Sequence, residues 1–571
     1  MSIAARPCDT WYRRRLLPAA AVAFVVLGAG LRFHQLGYHF AQLDDLFPIA
    51  GPYVMNQGQP RVVRIPFVPG APSIEVDTER IKTNPILYAA YASSATYAPL
   101  QFTVFPLLLS GDYGYREFLT RGRLPSAISA SLALIAFAGL YRAYRGGIDV
   151  AAVLGLAVFG LSLMNITYAQ QSISYAIGVL GSALLLWMLI AHASRPTTMR
   201  RLLLWAAAGA TLTYANYQVG VLFGIATLAL AITEYRVQPA TTFGPFVRRY
   251  VLAGIAYGVL VLPLAIPLHD KTGGVGRFAG VPGYEAFFPA VPDGGLIDVL
   301  VYVTSYAGRA AYTAVGIDVS FTTAGAAGDA GVAILFGLFL AGAWGLAVSA
   351  DPRSRAVATF GALLAVTLAV LNATWQFPLS PSRHMLVFTP LIVLAIAVGV
   401  THLRASLRVP FPAGEAGVWT LIAAMVVVFS LGYGQFRRER ADRFDEARLA
   451  ELMARHHVDT VVGYADTWQP ALMFRREGGR VRFIDLDAIL RKGPASTLQL
   501  PDRSFLLVSQ HRPIDEYPAD YPRNSAPPIR FDGYRLRELV RIESDVEPGI
   551  SKAIKIGTNG LYVTLAEHVA S

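Results

Sequence analysis

The sequence predicts a polytopic α-helical membrane protein carrying a soluble α/β domain at its C-terminal end. Three observations predict it. Of 571 residues, 54% are hydrophobic and only 15% charged, where a soluble chain would carry roughly a quarter. Apolar runs of membrane-crossing length recur from Leu16 to Tyr433; beyond Arg437 charges become dense and apolar runs shrink to strand length. Arginine clusters fall in alternate connections, as the positive-inside rule expects. That placement accounts for the net charge of +11 through topology and argues against nucleic acid as a partner. The single cysteine, Cys8, rules out an intrachain disulfide and a cysteine-based metal site.

Taken in order, Arg13-Arg14-Arg15 precedes the apolar run Leu16–Leu31, so the N-terminus should be cytoplasmic and the first span should run outward. A cleaved signal peptide is the rival reading, but Leu-Gly-Ala-Gly is a poor cleavage site. A long first outer loop follows, residues 33–122. It holds a Pro-rich, charged middle, Gly58–Pro85, then the apolar patch Leu100–Leu109, which is short for a crossing and broken by Pro106. This patch reads as a helix lying in the interface. The later spans are expected at Leu124–Tyr141, Val150–Ile166, Tyr175–Ala191, Leu202–Tyr214, Val219–Ile232, Val251–Leu268, Ala330–Val348, Ala356–Leu371, Met385–Val400 and Val418–Tyr433. The total is about eleven, with inner loops the richer in Arg. A second outer loop occupies residues 269–329, and its Leu296–Ala314 stretch is a further interfacial helix candidate.

The division is therefore a membrane domain over residues 1–436 and an extracytoplasmic domain over residues 437–571. In the latter, Ala441–His456 has the pattern of an amphipathic helix. Thr460–Tyr464, Val481–Leu486 and Phe505–Ser509 read as strands, and Thr467–Arg476 as a helix between the first two. No glycine-rich phosphate fingerprint follows these strands, so a structural or acceptor-docking role is expected.

Chemistry is expected first at the adjacent carboxylates Asp44 and Asp45, just past the first span. Their bland reading is a solvated turn or the cap of a following helix, Asp45–Met55. A partly desolvated carboxylate at a membrane interface would instead have a raised pKa and serve as a general base. His34, His39, Asp44, Asp45 and His269-Asp270 could supply hard ligands to a divalent ion, although no metal or other cofactor is required by the pattern. Trp375, Tyr38, Tyr97 and Tyr168 could stack a sugar or form an aromatic belt.

Leu31-Arg32-Phe33-His34-Gln35-Leu36-Gly37 followed by Asp44-Asp45 resembles the start of the first outer loop in GT-C glycosyltransferases. The similarity is greatest to the protein O-mannosyltransferase and lipid A aminoarabinose transferase branches. Thr96-Tyr97-Ala98-Pro99-Leu100 resembles their His-Pro-Pro-Leu segment. Gly111-Asp112-Tyr113-Gly114-Tyr115-Arg116-Glu117, then Arg123-Leu124-Pro125-Ser126-Ala127, is similar to Gly-Asp-x-Glu … Arg-Leu-Pro-Ser-Ala, the most specific match. Tyr168-Ala169-Gln170-Gln171-Ser172-Ile173-Ser174-Tyr175 resembles Tyr-Ser-Gln-Glu-Ala-Arg-Pro-Tyr, and Arg383-His384-Met385 through Pro390 resembles an Arg-Tyr … Pro span opening. The chain departs by Asp45 for Glu, Gln171 for Glu and Ile173 for Arg, and an altered register leaves Arg121 and Arg123 competing for one role.

The resemblance implies an inverting transferase at the outer face of the plasma (inner) membrane. Its donor would be a polyprenyl-phosphate-linked sugar, and its acceptor an envelope glycan, a lipid or a protein. Asp44 or Asp45 would take the acceptor proton. Arg383, Arg123, Arg121 and Arg61, with Arg64 beside it, are the candidates for the donor phosphate. Tyr97, Tyr168, Gln170, Gln171 and His384 would line the substrate. Two rivals stand beside it. A transporter or flippase of a lipid-linked saccharide needs ionisable groups at mid-span, and these spans have almost none. A non-catalytic scaffold would recruit partners through its outer domain.

Overall fold

The structure is a computed structural model. It describes residues 15–36, 49, 62–65, 74–92, 98–109, 113, 115–172, 174–195, 197–237, 243–264, 295, 297–298, 301, 326–374, 376–377, 383–408, 413–441, 446–463, 482–485, 503–509, 534–543 and 560–569. Apolar runs without internal breakers become helices: α1 (Leu17–Phe33), α5 (Tyr115–Arg145), α6 (Val150–Leu161), α7 (Leu163–Ala169) and α8 (Tyr175–Ala193) are the first of the bundle. They are followed by α9 (Met199–Ala215), α10 (Tyr217–Val237), α11 (Phe243–Val261), α12 (Ala326–Val348), α13 (Pro352–Ala373), α14 (Thr389–Ser406) and α15 (Ala413–Ala441). Among the described residues, eight helices are long and apolar enough to cross a membrane, nine when α6 and α7, bent by 53°, count as one. With the 17-residue helices α1 and α9, all eleven positions marked in the sequence carry a helix. The chain is an integral membrane protein.

Burial orders the bundle. Every residue of α6 is buried, and α14 is nearly so, whereas α11, α12 and α13 turn most of their apolar surface outward. Lipid supplies no hydrophobic drive between helices, so close packing must hold them. At the α12–α14 contact the backbones touch: a Cβ at Gly342 would lie 1.7 Å from the Ala395 carbonyl oxygen, and one at Gly399 1.9 Å from that of Leu338.

Three features depart from expectation. The third span is not one rod. At Ser162 the backbone turns extended, and the Ser162 hydroxyl accepts from Asn165 N at 3.2 Å, capping the new helix α7. The Pro-rich middle of the first loop contains an antiparallel hairpin, β1 (Val62–Ile65) with β2 (Ile74–Asp77). It leads into α2 (Thr78–Thr83), capped by Asp77, and α3 (Pro85–Ala92). The last bundle helix runs through Arg437 to Ala441, so the change of composition falls inside a helix. The amphipathic helix expected beyond is present among the described residues as α16 (Glu446–Arg455).

The patch Leu100–Leu109 is a 3-10 turn, Leu100–Val104, running into α4 (Phe105–Leu109). It buries Phe102, Phe105 and Leu109 in a small core with Ile49, Ile81, Tyr88, Phe118 and Leu119, while Leu100, Val104 and Leu107 stay exposed. A short helix with one apolar face in protein and another outside suits the membrane interface.

The C-terminal sheet has the order β4-β3-β5-β7-β6. β3 (Thr460–Gly463) is parallel to β4 (Arg482–Asp485) and β5 (Phe505–Ser509), and all three fall on the expected strands. β6 (Tyr534–Glu543) and β7 (Gly560–His568) pair antiparallel and close one side. Leu449, Leu452 and Met453 of α16 pack on Val461, Leu506 and Val563. The expected helices Asp45–Met55 (Ile49 excepted) and Thr467–Arg476, and most of Leu296–Ala314, lie outside the described residues.

Candidate active site at the converging helix ends

The last carbonyls of any helix lack partners within it, and three helix ends or loop ends meet at the C-terminal end of α1. α6 stops at Leu161, leaving Phe159 and Gly160 carbonyls open. Arg32 of α1, fully buried, donates to both at 3.1 Å, and to its own Gly28 carbonyl at 2.7 Å. A guanidinium here also opposes the negative pole of α6. It reaches because α1 and α6 are in backbone contact: a Cβ on Gly28 would sit 3.0 Å from Gly160 Cα. The favour is returned by the segment after α7. Gln170 Nε2 donates to the Leu31 and His34 carbonyls at 3.0 and 2.9 Å, closing the end of α1.

The chain beyond α1 is then fixed to α5. Arg123, 1% exposed, donates from Nη1 to the Leu36 carbonyl at 2.8 Å. The next described residue, Ile49, is fully buried against the neighbouring turn of α5, where Gly122 leaves space: a Cβ there would lie 2.6 Å from Ile49 Cδ1. The Tyr88 hydroxyl of α3 holds the Ile49 carbonyl at 3.3 Å. Both flanks of the segment containing Asp44 and Asp45 thus return to residues 122–123 of α5.

Beside this point Arg121 lies over the Tyr113 ring at 3.9 Å and pairs with Glu117 at 2.8 Å, partly exposed. Deeper in, Tyr168 packs edge-on to Tyr175, and Tyr175 to His384, with centroids 5.4 and 5.7 Å apart. Gln171 is buried beside them in sequence. His384 belongs to a 3-10 turn, Arg383–Phe388, that leads into α14. The structure therefore brings Tyr168, Gln170, Gln171 and His384 to the junction of α1, α7, α8 and α14, and Arg121 and Arg123 to the start of α5. Asp44, Asp45, Arg61, Tyr97, Tyr38, His39, His269-Asp270 and Trp375 lie outside the described residues, as do the side chains of Arg383 and Arg64. His34 contacts the Tyr433 hydroxyl through Nδ1 at 3.4 Å. Among the described residues no group of three or more His, Cys, Asp or Glu could hold a metal ion.

Sequence reasoning named the Leu31–Gly37 motif without giving Arg32 a task. The signal was present: a lone cation at the end of an apolar run must find partners within protein. The arrangement offers guanidinium groups, amides and phenols around one helix junction, a set suited to an anionic, hydroxyl-rich ligand.

No family model matches the chain, and no curated protein sequence matches it. Solved structures do. The oligosaccharyltransferase of Archaeoglobus fulgidus, solved with Zn and sulfate, is 11% identical with a TM-score of 0.41, over 81% of this chain and 62% of that one. ArnT from Cupriavidus metallidurans in the apo state is 11% identical with a TM-score of 0.44, over 86% and 93%. The arabinofuranosyltransferase AftD from Mycobacteria is 17% identical with a TM-score of 0.40, over 98% of this chain and 40% of that one. All three are of the GT-C class, and this chain spans less than two thirds of the first and third. Scores of this size leave the function to be read from this chain's own residues.

Proposed function

We propose that this protein is an inverting GT-C-type glycosyltransferase of the plasma (inner) membrane. It moves a monosaccharide from a polyprenyl-phosphate donor to an envelope glycan, lipid or protein acceptor at the outer face. The N-terminus is cytoplasmic and the C-terminal sheet domain extracytoplasmic, following the Arg-rich connections. The acceptor hydroxyl gives its proton to Asp44 or Asp45 as its oxygen attacks the anomeric carbon. The bond from that carbon to the phosphate oxygen breaks, and the polyprenyl phosphate leaves with the bonding pair. Arg383, Arg121, Arg123 and Arg61 stabilise the charge that develops there. Arg123 and Gln170 have a second task, holding the loop start, while Tyr97, Tyr168, Gln171 and His384 line the sugar. The scheme needs no cofactor.

The observation that supports this reading most is the double return to α5. Leu36 is bonded to Arg123 and Ile49 is seated at Gly122, so the acidic pair is tethered on both sides to a helix turn that carries two arginines. The test is a comparison of envelope glycans by mass spectrometry in cells carrying Asp44→Asn, Asp45→Asn or the unaltered protein. A general base is worth about 10²–10⁴ in rate, so at least one variant should lose transfer while still inserting. Normal glycans in both variants would reject the assignment.

A further inference from the structure

At the opposite end of the bundle a cavity of about 510 Å³ opens between the first turns of α1, α6 and α15 and the last turns of α5 and α14. Its size is that of a small-molecule site. Leu17, Asp149 and Thr401 line it together with two cations, Arg145 and Arg404, and the carboxylate of Glu415. Asp149 is already committed: its Oδ1 caps Ala152 N at 3.0 Å and accepts from the Tyr141 hydroxyl at 2.8 Å. Glu415 is only half satisfied. It is 7% exposed, its Oε1 forms an ion pair with Arg404 Nη1 at 3.7 Å, beyond hydrogen-bond length, and its Oε2 finds no donor among the described residues.

A buried carboxylate oxygen without a donor is costly. Here the group faces a cavity whose other walls bring two guanidinium groups, one of them, Arg145, exposed. The cavity therefore asks for a ligand with an anion for the arginines and an N–H cation for Glu415. It lies among the ends of five helices, and the ends of membrane-crossing helices meet the headgroup layer.

We propose that this cavity binds the phosphoethanolamine headgroup of a membrane phospholipid, phosphate on Arg145 and Arg404, ammonium on the Glu415 carboxylate. The three-donor ammonium is the discriminating part. A choline headgroup carries the same charge with no N–H, and a glycerol headgroup carries no cation.

The test uses the full-length protein in detergent with equal amounts of phosphatidylethanolamine, phosphatidylcholine and phosphatidylglycerol of one acyl composition, read by native mass spectrometry. Phosphatidylethanolamine should be retained about tenfold over the other two, the worth of one charge-assisted hydrogen bond. Glu415→Gln should erase that preference. Arg145→Gln, at an exposed position that folding tolerates, should weaken all three lipids together and keeps the proposal testable if Glu415→Gln fails to insert. Equal retention of the three lipids by the unaltered protein overturns the proposal, as does an undiminished preference in Glu415→Gln. An Arg145→Gln protein that retains every lipid as before overturns the phosphate assignment.

Discussion

The two ends of the helix bundle hold their most deeply placed arginines differently. At the α1 C-terminal end, Arg32 is wholly buried and each of its hydrogen bonds goes to a backbone carbonyl. At the other end arginines meet side chains as well. Arg249 bonds the Thr197 carbonyl and reaches Glu234, which also accepts from the hydroxyls of Tyr250 and Thr197. Arg353 ties the Ala143 and Tyr144 carbonyls to the Ser194 hydroxyl. One end ties its arginines to an acid and to hydroxyls as well as to carbonyls. The other keeps a fully buried guanidinium whose partners among the described residues are backbone carbonyls. The difference teaches where an anion is worth most, because a cation met, among the described residues, by carbonyls alone has charge left to offer.

The sharpest way to break this contrast is Arg32→Met. It leaves the Phe159 and Gly160 carbonyls without their donor and should cost about 3 kcal/mol, seen as a lower unfolding temperature in detergent and a loss of sugar transfer. Gly28→Ala tests the close approach that lets Arg32 reach. Its Cβ would meet Leu134 Cδ1 at 2.8 Å and Gly160 Cα at 3.0 Å, and the overpacking should cost about 2 kcal/mol. Gln170→Ala removes two hydrogen bonds at the end of α1 and should cost about 1.5 kcal/mol. Because it loosens the start of the acidic loop, it should lower kcat more than it raises KM. Arg353→Met, at a partly exposed position, should cost about 0.7 kcal/mol and leave kcat/KM unchanged. Equal destabilisation by Arg32→Met and Arg353→Met would erase the distinction between the ends.

The membrane helices were legible because an apolar run of crossing length has few other fates in a chain this hydrophobic. The bend at Ser162 was not. Neither Pro nor a glycine pair marks it, and the carbonyls it leaves open are bonded by Arg32, which lies 127 and 128 residues upstream of them. The parallel strands β3, β4 and β5 showed themselves as short apolar runs. β6 was hidden: Leu536, Val540 and Ile542 alternate with Arg535, Arg537 and Arg541, but the ladder shifts between Glu538 and Val540, and the charges mask the alternation. At the candidate site, Tyr168, Gln170, Gln171 and His384 were found as motif members, and the structure brings them to one junction. The helix-end tasks of Arg32, Arg123 and Gln170 could not be read, since they depend on contacts across more than eighty residues of chain.

The separation of Arg32 from its acceptors also constrains how the protein is made. During synthesis the first helix emerges with a cation whose carbonyl partners lie more than a hundred residues behind in the ribosome. Until α6 arrives, that guanidinium must rest in the headgroup layer, as long basic side chains do. Its withdrawal into the protein is then a late event of biogenesis, one that registers the arrival of the third crossing beside the first.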